Sequence, residues 1–258
     1  MPDKRRHRGK HPDDERLFAE AYHNTLRTAV AEYSWLLTRH YAVDSALKLV
    51  GDRHGLTARQ RMAVRRSACC DESLRRRATT MVALSQAAGR PVAIDGYNLL
   101  ITVESALSGG LILTGRDGCY RDLASVHGTY RKVKETLPAI ELILDYLAEL
   151  NISHVDWYLD RPVSNSGRLK ALIADVVEDR MDRPGGGTPW NIELVDSPDA
   201  VLADSAEIIV SSDSDVLDQC GAWLNLAAEL IDARVRSVQP AWVVDLRPDT
   251  GASTAGTS

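Results

Sequence analysis

The sequence predicts an α/β protein: a parallel sheet with helices on both faces, preceded by a small all-α region. Three observations carry this. From residue 89 onward, short apolar runs alternate with amphipathic helical segments, the pattern of strands joined by helical crossovers. Before residue 89 the apolar residues recur at helical spacing. The charge divides at the same place: residues 1–88 carry 17 Lys and Arg against 10 Asp and Glu, and residues 89–258 carry 14 against 26, so the net charge of −5 joins a basic half to an acidic half. A basic half suits a polyanion and an acidic half suits cations, although solvated helix faces account for the basic half equally well.

The composition narrows the function classes. At 258 residues there is room for one large domain or two modest ones, and 44% hydrophobic with 26% charged residues is ordinary for a soluble protein. No apolar run approaches the roughly eighteen residues of a membrane helix, so no membrane partner is expected. Met1 to Lys10 is basic with no apolar stretch after it, so no secretory signal is expected. Cys69, Cys70, Cys119 and Cys220 show no C-x-x-C spacing and are expected as free thiols in a reducing cytoplasm. The seven histidines, His127 among them, show no metal-ligand pairing, and no P-loop, GxGxxG or Ser-His-Asp arrangement occurs.

In order along the chain, residues 1–11 are polar and basic and are expected as a disordered arm. Pro12-Asp13-Asp14-Glu15 suits a first helical turn, and the apolar spacing from Leu17 to Leu37 predicts one long helix to about Tyr41. Asp44 opens a short helix that Gly55 stops, and Thr57 caps the next. Residues 43–67 thus have the outline of a helix-turn-helix with Arg59, Arg61, Arg65 and Arg66 on the second helix, an outline also common in all-α bundles. A further helix spans about 71–88, completing an all-α region over 12–88.

The α/β part covers 89–247. Strand 91–94 precedes a helix at 97–107, a short strand at 111–114, a loop with a structural Asp117-Gly118 turn, and a helix at 130–150. Strand 152–159, a helix from about 166, the flexible crossing Gly185-Gly186-Gly187, strand 190–195, a short helix at 198–203, strand 207–210, a helix at 217–235 and a closing strand at 241–246 follow. Residues 248–258 are a small-residue tail expected to be disordered.

Two strands end on acids. Pro91 to Ile94 runs into Asp95-Gly96-Tyr97-Asn98, and Ile208 to Val210 runs into Ser211-Ser212-Asp213-Ser214-Asp215. Ligands of open α/β sheets sit beyond the carboxyl ends of the strands, so if these two are neighbours their carboxylates converge and call for a cation. Each acid also has a local reading: Asp95 as a turn residue, Asp213 or Asp215 as a helix N-cap. Asp160 ends another strand and joins the cluster only if that strand lies beside the first.

With Ile94-Asp95-Gly96-Tyr97-Asn98 and Val210-Ser211-Ser212-Asp213-Ser214-Asp215, residues 90–246 resemble the PIN and NYN nuclease superfamily. They also look similar to an uncharacterised prokaryotic family that joins an N-terminal helical region to a PIN-like domain. Ser212 stands where NYN members usually have glycine, Asp199 lacks the lysine often found before it, and the loop 111–129 is longer than in compact members. The resemblance implies a Mg²⁺- or Mn²⁺-dependent nuclease, acting on RNA more than DNA. In it Asp95, Asp213 and Asp215 bind metal, and Glu104 and Asp199 bind a second ion or orient water. Asn98 is expected to position the substrate backbone or the loop of Asp95, with Ser211 also at the substrate, and a homodimer is among the assemblies the resemblance implies. Arg59, Arg61 and Arg65 lie outside the resemblance and are expected, as part of the basic helices, to hold the phosphate backbone. The competing reading is a non-catalytic nucleic-acid-binding or regulatory protein on a PIN-like scaffold; a small-molecule phosphoesterase using the same site is a third.

Overall fold

The computed structural model describes residues 7–124, 128–182, 188–238 and 240–249. The expectations for residues 1–6, His127, Gly185 to Gly187 and 250–258 lie outside them.

The first part is helical. Helix α1 spans Asp14–Leu17, α2 His23–Thr38, α3 Val43–Arg53, α4 Ala58–Ser67 and α5 Asp71–Thr80. The single long helix expected at the start is broken at Phe18 to Tyr22, because tertiary partners take the backbone groups there. Gln60 Nε2 donates to the Leu17 carbonyl at 2.8 Å, and His23 Nε2 lies 3.0 Å from that of Phe18. Thr57 caps α4 in a reciprocal box with Gln60, and Gly55 turns the chain before it at φ +60°. Helix α5 stops at Thr80, short of the expected 88, because the chain goes over to extended pairing: Val82 N–H donates to the Trp223 carbonyl.

The second part alternates as expected. Strand β1 (Pro91–Asp95) leads into α6 (Gly96–Leu107), then β2 (Leu111–Thr114), β3 (Tyr120–Asp122) and α7 (Thr136–Glu149). After these come β4 (His154–Asp160), α8 (Ser166–Met181), β5 (Trp190–Val195), α9 (Pro198–Asp204) and β6 (Ile208–Val210). Short α10 (Ser214–Leu217), α11 (Leu226–Leu230), which runs on into a π-turn, and β7 (Trp242–Asp245) complete the chain. The expected helix 217–235 is interrupted where the Ala222 carbonyl and Leu224 N–H bond both polar groups of Ile209, covering the edge of β6.

The main sheet is parallel in the order β5-β4-β1-β6. Its faces alternate with period two: Val92 and Ile94 enter the core under α6 and α7, and Ala93 and Ile209 enter a smaller one with Leu202, Val216 and Trp223. Each fully buried Ile or Leu contributes on the order of 1.5–3 kcal/mol.

Strand β7 does not close this sheet. It pairs in parallel with β2, which also pairs with β3, in a second sheet of order β3-β2-β7. On that sheet the helices are seated: Leu111, Leu113, Val244 and Leu246 share one buried cluster with Leu26, Val30, Tyr33, Ala63 and Val64. The helical region is therefore fastened to the α/β part through a common core. Residues 7–11 of the expected arm are likewise packed, with the Arg8 guanidinium 5.1 Å from the Tyr130 ring centroid and Lys10 Nζ 5.2 Å from that of Trp242.

Candidate functional site

Strand β1 lies between β4 and β6, so the acids ending all three strands come to one end of the sheet. Asp95 is the register partner of Tyr158, which places Asp160 two residues further along the neighbouring strand, and Asp160 joins the cluster. Asp95 is 7% exposed. Its Oδ1 accepts the Asn98 N–H at 3.3 Å, capping α6, and its Oδ2 accepts the Ser211 hydroxyl at 2.9 Å. Asp213 caps α10, with Oδ1 accepting from Asp215 N and Val216 N. Both acids thus fill the local roles their positions allow.

Capping does not balance the charge. Burial pushes the Asp95 carboxyl up, the Ser211 and Asn98 bonds oppose this, and the charges of Asp199 and Asp213 add to the rise, which brings it to about 7. Asp199 is raised by burial and then by Asp213, Asp160 and Asp215, and Asp160 by burial. Among the described residues no Lys, Arg or His side chain pairs with Asp95, Asp160 or Asp199, and Asp95 is held only by the Asn98 N–H and the Ser211 hydroxyl. Carboxylates that repel one another around buried Asp95, with Asp160 and Asp213 half-buried and Asp199 and Asp215 exposed, suit a cation. Among the described residues no three His, Cys, Asp or Glu side chains come together as a complete ligand set. The donors fit an ion held by one or two carboxylates, with water and phosphate oxygens in its remaining positions, the way Mg²⁺ is usually bound.

The turn that carries Asp213 is held from outside the cluster. Asn98 Oδ1 accepts from both Ser212 N (2.9 Å) and Ser212 Oγ (2.8 Å), and Ser211 Oγ accepts from Asp213 N at 2.9 Å. Asn98 and Ser211, expected to touch substrate, are in this structure the clamps between β1 and β6. Beneath them lies a buried network around Asp117, whose turn with Gly118 reads as structural in the sequence but whose arginine partners no local pattern shows. Arg121 donates through Nε to the Ser212 carbonyl (2.7 Å) and holds Asp117 bidentately. Arg77, from α5, reaches Asp117 at 2.6 Å, Asp218 at 2.7 Å and the Ser214 carbonyl at 3.2 Å. Although burial acts to raise Asp117, the two guanidiniums hold its carboxyl well below the ordinary range.

Three expected residues stand elsewhere. Glu104 is fully buried more than two turns along α6, where it accepts from Arg8 Nε (2.6 Å), the Tyr130 hydroxyl and the Thr136 hydroxyl. Burial raises its carboxyl, Arg8 opposes that, and no member of the Asp95 group acts on it. Arg59 pairs bidentately with buried Asp14, and Arg61 donates to the Leu56 carbonyl and to Asp52 at 2.8 Å. These two arginines hold the helical region together. Arg65, with its side chain 57% exposed, and Arg66 instead border a cleft of about 830 Å³ between helices and α/β part, whose other wall holds Asn98, Ser212, Asp213 and Asp215.

With this geometry established, comparison with known proteins places the chain. A domain of unknown function, DUF5616, matches residues 84–229, and a protein family of unknown function, DUF434, matches residues 25–79. The first match covers more than half of the chain, which belongs to the DUF5616 family. It is 31% identical over 151 residues to the uncharacterized protein MJ0935 of Methanocaldococcus jannaschii, across 58% of this chain and 72% of that protein. No solved structure matches.

Proposed function

We propose that the protein is a PIN/NYN-like, metal-dependent nuclease that hydrolyses phosphodiesters, with RNA preferred to DNA by the resemblance of its two acid-ended strands. The carrying observation is the β1–β6 adjacency. It sets buried Asp95, held among the described residues only by the Asn98 N–H and the Ser211 hydroxyl, beside the turn that carries Asp213. Asp95 and Asp213 would hold a Mg²⁺ or Mn²⁺ ion, with Asp199, Asp160 and Asp215 supplying further negative charge. Such an ion, when bound, lowers the pKa of water and offsets charge developing on the phosphodiester. Ser211 and Asn98 keep the two acid-bearing turns in register, and Arg65 and Arg66 face them across the cleft as cations for the phosphate chain. The four cysteines are free thiols, which supports a reducing, cytoplasmic setting.

A second reading, a nucleic-acid-binding protein without catalysis, rests on Arg65 and Arg66 at the cleft, which can hold a phosphate chain without any metal. Cleavage of mixed single-stranded and structured RNA with Mg²⁺ or Mn²⁺ separates the two. Wild type cuts and the Asp213→Asn/Asp215→Asn variant does not, while retaining its fold and salt-sensitive binding. A wild type that binds but never cuts sinks the nuclease reading.

A further inference from the structure

The cleft between the helical region and the α/β part has two unlike walls. One carries two of the acids, Asp213 and Asp215, with Asn98, Ser212, Asp122, Asp218 and the cation Arg121 beside them. The other comes wholly from the helical region, with Tyr41 and Val43 at the junction of α2 and α3 and Met62, Arg65 and Arg66 on α4. Tyr41, Val43 and Met62 are large apolar side chains left 54%, 44% and 38% exposed. The Arg65 guanidinium has only a 3.4 Å contact to Asp44, whose side chain is 90% exposed, so solvent competes for it. Arg66 donates from Nη1 to the Asp122 and Ala124 carbonyls and lies 3.7 Å from the Asp122 carboxylate, which sets its half-buried guanidinium at the cleft's edge as a cation already partly paired.

An aromatic ring and a thioether next to two guanidiniums form a surface complementary to one nucleotide unit: a base stacks on the ring, and the flanking phosphate meets the arginines. The unlike charge of the two walls orients such a strand, because phosphates favour the arginine side, and a cation, if held by Asp213 and Asp215, would supply an attraction for one phosphate on the other. A duplex keeps its bases inside the stack and out of reach of Tyr41.

We propose that Tyr41, Met62, Arg65 and Arg66 form a base-and-phosphate subsite for a single-stranded stretch of nucleic acid next to the bond presented to the acids. The position of that bond rests on the nuclease reading; the subsite itself does not. The test is binding of fluorescein-labelled oligouridine, oligodeoxyuridine and an A–U duplex of equal length, by anisotropy in EDTA so that cleavage plays no part. Tyr41→Ala weakens single-strand binding by about tenfold, within the range for loss of one stacked base, and Tyr41→Phe leaves it unchanged. Duplex binding does not respond to Tyr41→Ala. Arg65→Gln weakens single-strand binding and lowers its salt slope by about one phosphate contact.

Which oligomer binds more tightly tells the sugar preferred, and either supports the subsite. Single-strand binding that is absent in wild type, or unchanged in Tyr41→Ala, overturns it, as does an equal loss on the duplex. If Tyr41 governs binding yet wild type cuts nothing, the nuclease reading falls and the subsite stands. If Asp213→Asn/Asp215→Asn abolishes cleavage while Tyr41→Ala binds as wild type, the subsite alone falls.

Discussion

The Ser211 hydroxyl donates to Asp95 Oδ2 at 2.9 Å, so the last residue of β1 and the first residue after β6 are tied directly across the sheet. The same oxygen accepts the Asp213 N–H, which leaves one serine setting the spacing of two acids 118 positions apart in the chain. The tie also opposes, without cancelling, the rise of Asp95 caused by its burial.

Asp95 makes stability depend on pH in a defined direction. In the unfolded chain it loses its proton near 3.9; in the fold it keeps it to about 7. Between those values the native state holds a proton that the unfolded state lacks, so this residue's contribution to stability falls as pH rises, and levels off above 7. At ~1.4 kcal/mol per unit the effect is at most about 4 kcal/mol. Asp95→Asn is expected to melt above wild type at pH 8 and level with it near pH 4. Mg²⁺ is expected to raise the melting temperature of wild type at pH 8 and to leave Asp95→Asn unmoved. Parallel pH profiles for the two proteins would count against this account of the site.

Asp160 belongs with the acids because β4 lies beside β1. Asp160→Asn relieves part of the repulsion on Asp199 and removes negative charge from the cluster. Its expected signature is a higher Mg²⁺ concentration for half-maximal cleavage with little change in stability. An unaltered metal dependence would place Asp160 outside the working site.

Gly96 opens α6 against the indole of Trp157. A Cβ there would lie 2.0 Å from Trp157 Nε1 and 2.6 Å from the Tyr158 carbonyl. Trp157 is fully buried, so it has no direction in which to yield. Gly96→Ala is expected to cost about 1–3 kcal/mol, as overpacking does, and to misplace Asp95 next to it. Urea unfolding measures the first effect. A variant as stable as wild type would show that α6 starts differently.

Arg77 fastens α5 to the turn below the acids. Its removal in Arg77→Met leaves Asp117, whose side chain is 2% exposed, with Arg121 alone, and releases Asp218 and the Ser214 carbonyl. Breaking one side of a buried ion pair costs about 3–5 kcal/mol, and denaturant unfolding is expected to show a loss of that order. Because the two guanidiniums depress Asp117, its contribution is complete above the unfolded carboxylate value and is lost as pH falls through the folded one. The deficit of the variant should therefore shrink in strong acid; a deficit that holds at every pH would point to packing instead.

Arg59 and Arg65 stand six residues apart on one helix and are expected to behave oppositely. Arg59→Gln strands Asp14, whose side chain is 1% exposed, and lowers stability by about 2–3 kcal/mol without altering the salt dependence of nucleic-acid binding. Arg65→Gln leaves the melting temperature within about 1 °C, since its pair is exposed. Equal losses of stability would contradict the division drawn between them.

Much of this was legible in the residues. The short apolar runs at 91–94 and 208–210, the helical spacings between them and the acids at the strand ends defined an α/β sheet and the end of it that carries charge. Thr57 announced the start of α4, because capping is a contact between near neighbours in the chain. The short β3 was missed. It is Tyr120-Arg121-Asp122, with two charged residues of three, so it shows no apolar run. The second sheet was missed with it, since β2 and β7 are 128 residues apart and either run would serve in either sheet.

Local sequence determined where most helices and strands lie and which carboxylates end the strands, because those depend on contacts within a few positions, whereas the ends of α5 and of the helix after β6 were set by partners elsewhere in the fold. Only the tertiary structure decided what each charge does. It sent Glu104 to Arg8, Arg59 to Asp14, and Arg77 with Arg121 to Asp117, and among the described residues left Asp95, Asp160 and Asp199 without an ion pair to a basic side chain. A charge is neutralised by whatever folds against it, at separations here of 45 and 96 residues as readily as four, and no local pattern encodes that choice.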